Sequence, residues 1–128
     1  MNRDPVAFLV KYLRSLNAYP ANAVTGDLVG REPGQTTIYL EHSGGFRMVR
    51  YRMDRADIEY DVYHLDREQA ARLAHDLRAR LLEEAPGTAV DGVLVLDVAE
   101  ISSPRYYPDT TSREHVYGGE ISVFYTDA

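Results

Sequence analysis

Cysteine and tryptophan are both missing from this 128-residue chain, and phenylalanine occurs only three times. Without thiols there are no disulfides, no thiolate nucleophile and no Cys-ligated zinc, so folding in a reducing cytosol is the simplest expectation. Long apolar runs are missing too. The first, Val6 to Val10, is broken by Lys11 and preceded by Asp4, which suits neither a secretory signal nor a membrane span. A basic surplus is also lacking: 14 Lys and Arg face 20 Asp and Glu, a net charge of −6, with the two signs interleaved. That balance gives no sequence-independent grip on a nucleic-acid backbone.

Chemical motifs are equally scarce. No G-x-S-x-G, G-x-x-x-x-G-K or G-x-G-x-x-G occurs, and Gly44-Gly45 and Gly118-Gly119 lack the strand-to-helix setting of a phosphate cradle, so they read as turn or bulge residues. His42, His64, His75 and His115 show neither H-x-H nor H-x-x-x-H spacing and read as surface or interface residues. Asp57, Glu59 and Asp61 share one side of a strand, but alternate strand positions lie ~7 Å apart, too far for three carboxylates to hold one ion comfortably. A salt-paired face is the favoured reading, with no catalytic residue, metal or cofactor expected.

What is present describes one α+β domain over residues 1–128. Hydrophobic residues make up 45% of the chain, enough for one core at this length. Asp4 as N-cap, Pro5 at the first helical position and the spacing of Val6, Leu9, Val10, Leu13 and Leu16 predict a helix from Asp4 to Leu16. Asp66, with Gln69 three residues on as a capping box, opens a second helix. Its buried stripe is Ala70, Leu73, Ala74, Leu77 and Leu81, it ends at Pro86-Gly87, and it leaves Arg67, Arg72, Asp76, Arg80 and Glu83 outward. Strands are expected at Ala23–Val29, Thr36–Glu41, Gly92–Ile101 and His115–Thr126, the last two joined by a loop holding Tyr106 and Tyr107. The expected architecture is an antiparallel or mixed sheet with two main helices packed on it.

Between Phe46 and His64 the charges invite a hairpin turning at Met53–Ala56. That register sets Arg52 opposite Asp57 and Arg50 opposite Glu59, and turns Val49, Tyr51, Ile58, Tyr60 and Val62 the other way. A competing reading leaves Phe46–Met53 as a long loop. Ten tyrosines add amphipathic area of the kind found at interfaces.

Taken in order, the DPVAFLVKYLRSL helix, the TTIYLEHSGG strand, the DRADIEYDVYHL strand, the DREQAARLAHDLRARLLEE helix and the PRYYPD segment before HVYGGEISVFYT resemble the tail terminator (tail completion) proteins of long-tailed bacteriophages. The resemblance covers nearly the whole chain. It implies a non-enzymatic α+β subunit of a homo-hexameric ring at the tail-neck junction of the virion, assembled in the host cytoplasm. Such a ring ends tail-tube growth and presents a surface to head-completion or stopper proteins. Its partners would be itself, the tail tube protein and a head-side protein. DNA would pass through the channel without specific binding, helped by acidic groups on the lumen. Interface candidates are Arg50, Arg52, Asp57, Glu59, Asp61, Arg72, Arg80, Tyr106 and Tyr107. The alternatives are a head-to-tail stopper or other neck component, and a small ligand-binding α+β domain centred on Asp61 and His64.

Overall fold

A computed structural model describes residues 3–20, 22–50 and 52–128. The elements run α1 (Pro5–Ser15), β1 (Val24–Thr25), β2 (Thr37–Val49), β3 (Met53–His64), α2 (Arg67–Ala79) with a π-helical turn (Arg80–Glu84), β4 (Ala89–Val90), β5 (Val93–Pro108) and β6 (His115–Asp127). The strands form one six-stranded mixed sheet in the order β1-β2-β3-β6-β5-β4. Only β1 and β2 run parallel; the other neighbours are antiparallel.

Both helices start where capping chemistry places them. The Asp4 carboxylate accepts the Val6 N–H at 3.0 Å, with Pro5 next to it, and Asp66 does the same for Glu68 at 3.0 Å. The capping box is completed differently from expectation. His64 Nδ1 accepts the Asp66 N–H at 2.9 Å, the bond assigned to Gln69, so the reciprocal partner comes from the preceding strand.

One buried cluster joins Phe8, Leu9 and Leu13 of α1, Ala74 and Leu77 of α2, and Leu81 to Ile38, Leu40, Ala56, Ile58, Tyr60, Val62, Val95, Ile121 and Val123 of the strands. In β3 the buried residues are the even-numbered ones, the period-2 signature of a strand with one face on the core. Phe8 packs against Tyr125 with ring centroids 5.0 Å apart.

Several expectations fail here. The hairpin turns between Val49 and Met53, where the Arg52 N–H meets the Val49 carbonyl at 2.9 Å, so Arg50 and Arg52 sit in the turn and face neither Asp57 nor Glu59. Gly44 pairs with Asp57 and Glu41 with Glu59. Strand β2 continues to Val49, which replaces the long loop; the Tyr51 assignment lies outside the described residues. Strand β5 runs on to Pro108, placing Tyr106 and Tyr107 in a strand. Gly118 and Gly119 stand inside β6, paired with Asp61 and Tyr60. The Ala23–Val29 strand shrinks to Val24–Thr25.

Candidate assembly surface

The odd-numbered side chains of β3 alternate with the buried set and occupy the opposite side of the sheet. Arg55, Asp57, Glu59, Asp61 and Tyr63 are there, as the shared face of Asp57, Glu59 and Asp61 requires. Glu59 sits between Glu41 of β2 and Glu120 of β6, making a row of three carboxylates in register across three strands. Like charges placed directly opposite destabilise a sheet. Within the chain Ser43 Oγ donates to Glu120 Oε2 at 2.6 Å.

Next to the row lies an open groove of about 420 Å³ lined by Glu59, Asp61, Ser102, Arg105, Tyr107 and Glu120. Tyr107 reaches over β6 and its hydroxyl donates to Asp61 Oδ1. The crossing needs Gly118, because a Cβ there would overlap both the Asp61 carboxylate and the Tyr107 hydroxyl. Gly119 makes room on the other face, where a Cβ would come within 2.5 Å of the Tyr60 hydroxyl. The Gly-Gly pair is thus a close-approach device within a strand.

The groove shapes the acidity of Asp61. Burial, then the charges of Glu59 and Glu41, push its carboxyl from 3.8 up to about 6. Asp57 moves the other way: burial opposes ionisation, but the Arg55 guanidinium at 2.9 Å and the Ser122 hydroxyl at 2.9 Å outweigh it and hold the carboxyl below its usual range. A raised folded value means that Asp61 contributes stability below about pH 4, and that this contribution is lost as pH rises through 6. Asp61→Asn, which keeps an acceptor for Tyr107, will therefore stabilise the protein at pH 7.5 by about 1–2 kcal/mol after allowance for solvent screening. The gain will vanish below about pH 4, as read by urea denaturation at both pH values. An equal effect at both would reject an ionised, uncomfortable Asp61.

The remaining candidates scatter. Arg72 pairs with Glu68 at 3.3 Å, and Arg80 bonds Asp76 at 2.9 Å and Glu84 at 3.4 Å, all i,i+4 pairs along the helical segment. Exposed pairs of this kind contribute little. Tyr106 is on the opposite side from Tyr107: its hydroxyl meets His115 Nδ1 at 2.8 Å, its ring packs on Tyr117, and the Arg67 guanidinium lies 4.2 Å from its centroid. Asp61 and His64 fall on opposite sides of β3, so the structure does not bring together the two residues of the ligand-binding alternative. Among the described residues no group of three or more His, Cys, Asp or Glu is arranged to hold a metal ion.

Sequence reasoning missed the hairpin end. Phe46, Met48 and Val49 are 57%, 43% and 45% exposed at the tip of β2, and Arg55 lies 5.1 Å from the Phe46 ring centroid. The FRMV run could have signalled it, since a run with large side chains at every position leaves apolar surface on both sides of an edge strand. No protein-family model and no characterised protein matches the chain. Among the described residues no helix is long and apolar enough to cross a membrane.

Proposed function

We propose that this protein is a non-enzymatic assembly subunit, a tail terminator that closes into a ring, caps the head-proximal end of a phage tail tube and offers a joining surface to the head. The observation that carries the reading is the Glu41–Glu59–Glu120 row on a sheet face that lies opposite the buried cluster. An isolated subunit gains nothing from three carboxylates in register, whereas a subunit that meets a basic partner does. In this reading both helices back one face of the sheet and the acidic face is left for contact. The exposed apolar hairpin end supports the same conclusion, because clustered apolar surface marks interaction sites.

Native mass spectrometry and negative-stain imaging of the concentrated protein test this directly. A closed ring with a central hole is expected, six-membered if the family resemblance holds. A chain that stays monomeric up to its solubility limit counts against the reading. The ring's effect on polymerising tail tube protein then separates a terminator, which shortens tubes, from a stopper, which binds the head-side connector and leaves tube length unchanged.

A further inference from the structure

We propose that the β2–β3 hairpin end of one copy docks on the carboxylate row of the next, in a head-to-tail contact between identical chains. This contact is the subunit contact of the ring and rests on that reading.

The two surfaces are complementary in charge. Residues 46–54 hold three arginines, Arg47, Arg50 and Arg52, against the single Asp54, in a chain whose net charge is −6; the next arginine, Arg55, is paired with Asp57. The Arg47–Asp54 pair, at 3.8 Å with Arg47 53% exposed, is a surface pair that can exchange partners at little cost. The receiving face presents Glu41, Glu59 and Glu120, with the open groove of about 420 Å³ beside them. Arginines approaching the row would relieve its like-charge repulsion, and the apolar tip would leave water in the same step.

A chain cannot make this contact with itself. Glu59, in the middle of the row, lies six residues beyond Met53 at the hairpin end of the same strand, roughly 20 Å at ~3.3 Å per residue, and the rigid sheet holds the two apart. The main competing route to self-assembly is sheet extension through the outer edges of β2 beyond Tyr39 and β5 beyond Leu94, where no strand neighbours them. On β5 that edge is broken by three register shifts and by Pro104, and on β2 by register shifts between His42 and Gly44 and between Arg47 and Val49, devices that blunt edge-to-edge pairing. Side-chain docking of the hairpin end is the route left open. Because tip and row are different patches, repeating the contact generates a ring or filament rather than a two-fold pair.

The test uses two charge-reversed proteins: Arg50→Glu with Arg52→Glu in the tip, and Glu41→Lys with Glu59→Lys in the row. All four residues are exposed, and thermal melts will confirm that both proteins fold. Each alone should need at least about tenfold more protein to assemble than the unmodified chain, because like charges now meet across the contact. An equal mixture should regain assembly, since unmodified tip meets unmodified row and reversed tip meets reversed row. Phe46→Ser with Val49→Ser probes the tip without charge and should also weaken assembly. If both charge variants form rings as readily as the unmodified chain, the contact is wrong while the ring reading stands. A mixture that stays dissociated, or a species that stops at two subunits, also overturns the head-to-tail contact. If the unmodified chain forms no oligomer at any concentration, both fall together.

Discussion

Arg31→Met will destabilise the protein by about 3–5 kcal/mol at neutral pH, the cost of leaving a buried carboxylate without its counter-charge. Glu114 has a side chain that is 0% exposed, and the Arg31 guanidinium, 12% exposed, engages both of its carboxylate oxygens. The same guanidinium donates to Thr37 Oγ1 at 2.6 Å and to the Gln35 carbonyl at 2.7 Å, and lies 4.5 Å from the Tyr63 ring centroid. It therefore ties the segment before β2 to β3 and to the entrance of β6. Burial alone would raise the Glu114 carboxyl, but the bonds to Arg31 and Ser112 and the Arg31 charge outweigh it and hold the group below its usual value. A depressed folded value gives stability that is present above the unfolded pKa and lost as pH falls through the folded one. In Arg31→Met burial, the largest influence, is opposed only by the bonds from Ser112 and Gly34, so the depression shrinks and the variant loses less stability on acidification than the unmodified protein. Urea denaturation should show the gap between the two proteins narrowing from pH 7 to pH 4. Arg31→Met combined with Glu114→Leu should recover most of the loss, because an apolar pair of similar volume needs no desolvation. A loss below about 1 kcal/mol, or a gap that ignores pH, would show that the pair does not hold these segments.

Nothing local announces that pair. Arg31 stands in a Gly- and Pro-rich stretch and Glu114 before a strand, 83 residues apart, so only the folded chain reveals the bond. The helices, by contrast, were legible because their signals are local: Asp4 with Pro5, Asp66, and apolar residues at helical spacing. Strand positions were legible and strand lengths were not. Pro104 and Pro108 make residues 102–108 read as a loop, yet β5 beyond Leu94 is an edge, and an edge tolerates proline. Surface charge alone selects the wrong register. Opposite charges favour Arg50 against Glu59, but the pairing is set by burying Ile38 and Leu40 of β2 opposite Val62 and Tyr60 and by seating Gly45 against Ala56, terms that outweigh exposed ion pairs. The carboxylate row follows from that register, so it could not be seen without it. The acidic side of β3 itself was legible, because period 2 places Asp57, Glu59 and Asp61 together in any register.

Gly45→Ala will detach the outer half of β2 from β3, with a local cost of about 3 kcal/mol or more. Gly45 has φ 121°, a conformation open to glycine and strained for an L side chain. A Cβ there would overlap the Arg55 carbonyl oxygen and stand 2.8 Å from Ala56 Cα, and backbone atoms inside a paired strand cannot step aside as a flexible side chain can. The sheet's cheapest response is to let the edge go, since residues 41–49 are all exposed and none of them belongs to the buried cluster. Hydrogen exchange should therefore show lost protection over residues 44–49 and at those amides of 53–57 that face β2, while 58–62, whose β2 partners at 38–42 stay in place, remain protected. Gly44→Ala is the comparison: at φ 158° it too meets backbone strain, but nothing lies within 4 Å of the added Cβ. It should lose distinctly less protection than Gly45→Ala. Because the hairpin end is the docking tip of the proposed contact, Gly45→Ala should also abolish rings while leaving a folded core, and Gly44→Ala should impair them distinctly less. If the two glycine variants match in both exchange and assembly, neither the tight seat under Arg55 nor the role of the hairpin end in assembly survives.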